Sequence, residues 1–91
     1  MSIFQPPDDP AYLAWLDANP NGYVINTERG GRQYVMLHRA TCNYMRRFPP
    51  FIGPSYIKIC STSLDQLEEW ALQHIGRAAP RCNAPGSNCW R

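Results

Sequence analysis

Two short clusters of side chains of the metal-ligating type stand about forty residues apart in this chain, His38-Arg-Ala-Thr-Cys42 and Arg81-Cys82 with Cys89. A fold that joins them closes the domain around one shared ion, whereas a fold that separates them has to bury or oxidise isolated thiols. Imidazole plus three thiolates is a common tetrahedral set for structural zinc, and His38, Cys42, Cys82 and Cys89 supply it. Each half is local, so closing it costs little loop entropy. A strand that runs out through His38 into a turn lets the three-residue spacer aim ring and sulfur at one point. In the second half, Asn83-Ala84-Pro85-Gly86-Ser87-Asn88 carries Pro-Gly and two Asn, the composition of a chain that reverses. This spacer is longer than the roughly two to four residues usual between paired zinc cysteines, which makes the second half the less typical one.

Four cysteines also allow two disulfides, in three connectivities. A secreted chain is expected to open with a basic and then apolar leader. The first ten residues, with Pro6, Pro7, Asp8, Asp9 and Pro10, have no such segment. No stretch is apolar and long enough to span a bilayer. The expected setting is therefore the reducing cytoplasm, without membrane association, where clustered Cys and His read as a metal site. Cys60 lies away from both clusters in the strand-like run Tyr56-Ile57-Lys58-Ile59-Cys60. It is expected to be a buried structural thiol, the alternative being a ligand that replaces Cys82 or Cys89.

Ninety-one residues make one domain, 1–91, either alone or as a module of a larger protein. The core of so short a chain is modest, so a metal staple matters to its stability. Net charge is only +2, but it is sorted along the sequence. Residues 1–28 carry Asp8, Asp9, Asp17 and Glu28 and no base, while residues 29–64 carry Arg29, Arg32, Arg39, Arg46, Arg47 and Lys58 and no acid. Eight of the nine cations are arginine, the side chain suited to bidentate phosphate contacts and to stacking.

Asp9-Pro10 reads as an N-cap with Pro at the first helical position, and Tyr12, Leu13, Trp15 and Leu16 recur at helical spacing, which predicts a helix over 10–18. The β-rich runs 22–27 and 33–38, joined by Gly30-Gly31, predict an antiparallel hairpin that carries His38 to a strand end. Residues 43–55, with Pro49-Pro50 and Gly53-Pro54, predict an exposed loop. A third strand is expected over 56–60, with Ile57 and Ile59 on one side and Lys58 on the other. Ser63 and Gln66 fit a capping box, and Leu64, Leu67, Ala71 and Ile75 mark an apolar stripe that stops at Gly76. The expected fold is α+β: a small antiparallel sheet of about three strands with two helices, stapled by one zinc site.

With these pieces in order, residues 22–89 resemble the small zinc module of Ada-type DNA repair proteins and its His-x3-Cys relatives. There a strand leads into a Cys-x3-Cys or His-x3-Cys pair, a further strand precedes a helix resembling Ser-Leu-Glu-Glu-Ala, and Arg-Pro-Cys-x2-Cys closes the site. The matching pieces are His38 to Cys42, Tyr56 to Cys60, Ser63 to Glu69, and Pro80-Arg81-Cys82 with Cys89. The resemblance implies DNA handling. It also implies that methyl transfer from a phosphotriester is absent, because His38 stands where the repair protein has its acceptor thiolate. The enlarged Cys82-x6-Cys89 spacing departs from the family pattern.

Two function classes follow. In the first, a zinc-stabilised module binds DNA or another nucleic acid, with Arg39, Arg46, Arg47 and Lys58 on phosphates and Tyr44 available to stack on bases. In the second, a regulatory small domain docks a partner protein or a fused domain through exposed aromatics. Catalysis by the chain alone is not expected. Zinc hydrolases keep an open coordination position and a nearby carboxylate base, and residues 29–64 contain no acid.

Overall fold

A computed structural model describes residues 3–30 and 34–90. Its elements are helix α1 (Asp9–Ala18), strands β1 (Tyr23–Glu28) and β2 (Val35–Arg39), a 3-10 turn (Asn43–Arg46), strand β3 (Tyr56–Ser61) and helix α2 (Leu64–His74). The three strands form one antiparallel sheet in the order β2-β1-β3. The fold is therefore α+β, as the residue patterns imply. The hairpin joins β1 to β2, while Gly31, half of the expected Gly30-Gly31 turn, lies outside the described residues.

Pairing sets which residues share a face. Val24 stands between His38 and Cys60, and Asn26 between Met36 and Lys58; Ile25 stands between Leu37 and Ile59 on the alternate rows. Because side chains alternate along a strand, the first two rows face α1 and the Ile25 row faces α2. Tyr12 and Leu16 of α1 pack with Val24 and Cys60. Leu67 and Ala71 of α2 pack with Ile25, Val35, Leu37 and Ile59. The sheet is thus covered on both faces. Full burial of each such large apolar side chain contributes on the order of 1.5–3 kcal/mol.

Helix α1 begins one residue earlier than its sequence signal. Asp8 is the N-cap, its side chain accepting from Ala11 N–H at 2.9 Å. This frees Asp9, whose Oδ1 accepts from the N–H groups of Phe51 at 3.0 Å and Ile52 at 2.7 Å. Residues 43–55 form the exposed loop expected over most of their length, but two points of it are anchored inward. Met45 and Phe51 are buried, and Tyr12 Oη donates to Met45 O at 2.8 Å. Arg29 fixes the far end of the segment by donating to Pro54 O and Gly53 O, each at 2.9 Å. Turn composition says where a chain bends, not which of its side chains go inward. The capping box of α2 is half-formed: Ser63 Oγ accepts from Gln66 N–H, while Gln66 Oε1 accepts from Ser61 Oγ. Gly76, at φ 87°, closes that helix.

Two further segments lie beside the sheet. Phe4 exchanges two backbone hydrogen bonds with Cys60, each 2.8 Å. On the other side, Leu37 N–H donates to Pro80 O at 2.8 Å and Leu37 O accepts from Cys82 N–H at 2.9 Å, a parallel bridge centred on Arg81.

Gly22, where the chain leaves α1 for β1, tests this packing. A Cβ there would come within 2.6 Å of Trp15 Cη2, 3.2 Å of Asn19 O and 3.3 Å of Ser61 O. Gly22→Ala is expected to lower unfolding free energy by about 1–3 kcal/mol, the usual range for overpacking, and Trp15→Leu in the same chain should recover part of the loss. Urea denaturation of the single and double variants measures both.

Candidate metal centre

His38 leaves the end of β2, and a tight turn follows in which Cys42 N–H donates to Arg39 O at 2.9 Å. Cys42 then caps the 3-10 turn in extended conformation, φ −61° and ψ 128°. The second half-site is positioned by the same strand. Cys82 lies alongside Leu37 through the bridge at Arg81, and Trp90 Nε1 donates to Leu37 O at 3.1 Å. Between them the chain reverses at Gly86, φ 76°, with Ser87 N–H donating to Ala84 O at 3.0 Å. That turn shows how a six-residue spacer still brings two sulfurs together.

Side chains cross-link the halves. Asn43 N–H donates to Asn88 Oδ1 at 2.8 Å, Asn43 Nδ2 to Gly86 O at 3.0 Å, and Asn88 Nδ2 to Thr41 O at 3.3 Å. Tyr44 Oη donates to Pro85 O. One ligand atom from each of His38, Cys42, Cys82 and Cys89 lies within 4.8 Å of every other, and all four residues are buried. His38 Nδ1 is 3.8 Å from Cys89 Sγ. A tetrahedron with metal–sulfur bonds of about 2.3 Å has edges of about 3.8 Å, so small side-chain rotations bring the set to ligation distance. This cluster of one imidazole and three thiols could hold a metal ion.

All four cysteines are free. Cys60 stays outside the cluster, wholly buried opposite Val24, and burial pushes its thiol up to about 12. It is the structural thiol expected of it.

The electrostatics suit a cation. Burial, aided by the charge of Lys58, pushes the His38 imidazole down to about 4, so it is neutral and able to ligate near pH 7. Burial also raises the Cys82 thiol, but hydrogen bonds from Ser87, the Ala84 backbone and the neighbouring thiols outweigh it and lower the pKa. Cys89 is raised by burial and by the proton it shares with Cys42. One sulfur is therefore readiest to be thiolate, and metal binding releases the protons of the others. Arg39 N–H donates to Cys89 Sγ at 3.2 Å, a bond that favours thiolate there. Ser87 is a site residue that sequence reasoning missed. Its Oγ lies 3.6 Å from Cys42 Sγ and 3.4 Å from Cys82 Sγ and accepts from Cys89 N–H at 3.0 Å. Its only signal was its place inside the Cys82–Cys89 spacer.

The residues expected at phosphates are dispersed around this centre. Arg46 pairs with Asp17 at 2.7 Å, both exposed, an ion pair worth at most about 1 kcal/mol. Arg47 is exposed, with its guanidinium 4.9 Å from the Tyr44 ring centre and 5.4 Å from that of Phe48. Arg39 is half-buried beside the cluster. Lys58 does not fit the expectation: it is 5% exposed and donates from Nζ to Phe51 O at 2.7 Å. The 43–55 segment folds over that face of β3, so the lysine is drawn into the interior and away from any phosphate.

No protein-family model, curated protein or solved structure matches this chain.

Burial pushes Lys58 down to about 8, against the pull of Asp9 and Cys60. The unfolded chain then binds more protons than the native one between about pH 8 and 10.5, so this group makes stability rise with pH across that window, by as much as about 3 kcal/mol. Lys58→Met should remove the rise. Urea midpoints of both proteins from pH 7.5 to 10 measure it, and parallel pH profiles would contradict a buried ammonium.

Proposed function

We propose that the chain is a zinc-stabilised nucleic-acid-binding module, DNA being the first candidate, and that it is not catalytic by itself. The observation that carries the reading is the buried donor set of one histidine and three cysteines, packed directly against the segment that holds Tyr44, Arg46 and Arg47. Three thiolates and an imidazole are too soft a set for magnesium or calcium, and their tetrahedral disposition suits zinc. Four protein ligands leave no open position for water, which favours a structural ion over a hydrolytic one. His38 Nδ1, Cys42, Cys82 and Cys89 would hold it, and the ion would supply cross-linking, not chemistry. The order of strand, His-x3-Cys, strand, helix and Cys pair resembles that of the Ada-type module, and His38 in place of the acceptor thiolate argues against alkyl transfer. The arginines that remain exposed beside the site, with Tyr44 and Phe48 between them, are the kind of surface that meets a phosphate backbone and its bases.

One zinc per chain is the expected metal content of protein purified without added metal. Cys42→Ser and Cys82→Ser should lose it and Cys60→Ser should keep it. Chelation should unfold the domain, since structural zinc in small domains contributes on the order of 10 kcal/mol of apparent binding energy. Retention of metal by Cys42→Ser would move the site elsewhere.

Binding to DNA is expected to weaken steeply with salt. With Arg39, Arg46 and Arg47 as contacts, the log-log slope should be about −2 on single strands and about −3 on duplex, and Arg46→Ala with Arg47→Ala should flatten it by about 1.5 to 2 without changing zinc content. Binding of a protein partner without dependence on salt, through exposed Phe48 and Tyr56, would favour the docking-domain reading instead.

A further inference from the structure

Helix α1 covers only one end of its sheet face. Beyond it, the rows of Asn26 and Lys58, and of Tyr34 and Tyr56, are roofed by the 43–52 segment, and the roof leaves a cavity of about 180 Å³. Asn26, His38 and Lys58 line it below, and Tyr34, Tyr44, Phe48 and Phe51 line it at the sides. An adjoining depression of about 260 Å³ shares Asn26, Tyr34, Phe48, Phe51 and Lys58 and extends to Tyr56 at the surface. Phe48, 68% exposed, and Tyr56, 44% exposed, stand at the mouth.

Two of the residues lining this cavity each carry a buried polar atom without a hydrogen-bond partner, Asn26 Oδ1 and His38 Nε2. An orphaned buried polar atom costs about 1–3 kcal/mol, so two of them on diagonal neighbours of the sheet call for an occupant. His38 Nδ1 faces the cysteines, which leaves Nε2 as the N–H of the ligating tautomer. The pair is then one donor and one acceptor on diagonal positions of neighbouring strands. A water could bridge them, but the cavity is several times the roughly 30 Å³ one water takes up. Flat walls of aromatic rings with an adjacent donor and acceptor fit a flat ring that presents its own acceptor beside a donor. Every nucleobase shows such an edge. Arg47, held over Tyr44 and Phe48 at the rim, is placed for the phosphate that would come with it.

Resting on the nucleic-acid reading above and naming what that surface takes, we propose that this pocket receives one unstacked nucleobase, stacked against Phe48 and Tyr44 and hydrogen-bonded along its edge by Asn26 Oδ1 and His38 Nε2. The metal cluster then has a second duty, because it orients His38 and, through Pro85 and Tyr44, fixes one wall. Base stacking on a protein aromatic is worth on the order of 1–3 kcal/mol, so the base should strengthen binding by roughly ten-fold or more over the same backbone without it.

The test uses zinc-loaded full chain and two ten-nucleotide single strands, oligothymidylate and an all-abasic strand of the same length, titrated by fluorescence anisotropy at low salt. Oligothymidylate should bind at least ten-fold tighter. Asn26→Ala should bring it towards the abasic affinity while leaving abasic binding and zinc content unchanged, and Phe48→Ala, at an exposed position, should shrink the ratio between the two strands with zinc content unchanged. Equal affinity for the two strands, or variants that keep the full difference, would overturn the pocket and leave the phosphate-binding reading standing. Failure of both strands to bind would overturn both.

Discussion

The meeting of His38, Cys42, Cys82 and Cys89 is the constraint on which the rest of this domain depends. The two halves are far apart in sequence, and neither lies in a segment that could hold its shape alone. One is a turn after a strand, the other a Pro-Gly loop at the end of the described chain. Backbone and amide bonds bring them into register, through the bridge at Arg81, the Asn43–Asn88 pair and Trp90 on Leu37 O. Those contacts are individually worth about 1 kcal/mol. An ion held by all four ligands would join them into one cooperative unit, which matters in so small a chain.

A second dependence runs through β1. It is the central strand, and its alternate residues feed two separate cores, Val24 under α1 and Ile25 under α2. The α1 side is the less completely apolar of the two. It includes His38, Asn26 and Lys58, and the segment after the metal turn has to satisfy them as well as cover them. It succeeds for Lys58 through Phe51 O and leaves Asn26 Oδ1 and His38 Nε2 unmatched. Polar groups on a covered sheet face are costly unless they serve something, and one of these, His38, belongs to the His–Cys cluster.

Much of the architecture was legible because it rests on periodicity and punctuation. Leu64, Leu67 and Ala71 at helical spacing, Ser63 before them and Gly76 after them define α2 by local rules alone. The convergence of His38, Cys42, Cys82 and Cys89 was legible for a similar reason, since residue type and short spacing mark them as a group. What could not be read was long-range. Asp9 looks like a cap and is instead the acceptor that pulls the 51–52 backbone inward, a choice set by a contact 42 residues away. Lys58 looked like an outward charge because β3 was expected to have a solvent face. Only the fold of the 43–55 segment, which Pro and Gly mark as an exposed loop, removes that face. Ser87 was invisible because a serine in a turn has no distinguishing pattern until the sulfurs around it are in place.

The two flanking segments beside the sheet have a meaning for how copies of this protein behave towards each other. A sheet margin with unpaired amides is a template for another strand, and proteins protect such margins or aggregate through them. Here Phe4 occupies the β3 margin at Cys60, near the end of that strand, and residues 80–82 occupy the middle of the β2 margin. The second guard contains Cys82, so the segment that pairs with the strand also supplies a donor to the His–Cys cluster. Were an ion held by the four donors, its loss would loosen the guard and bare the margin of β2, and a change in metal supply would become a change in self-association.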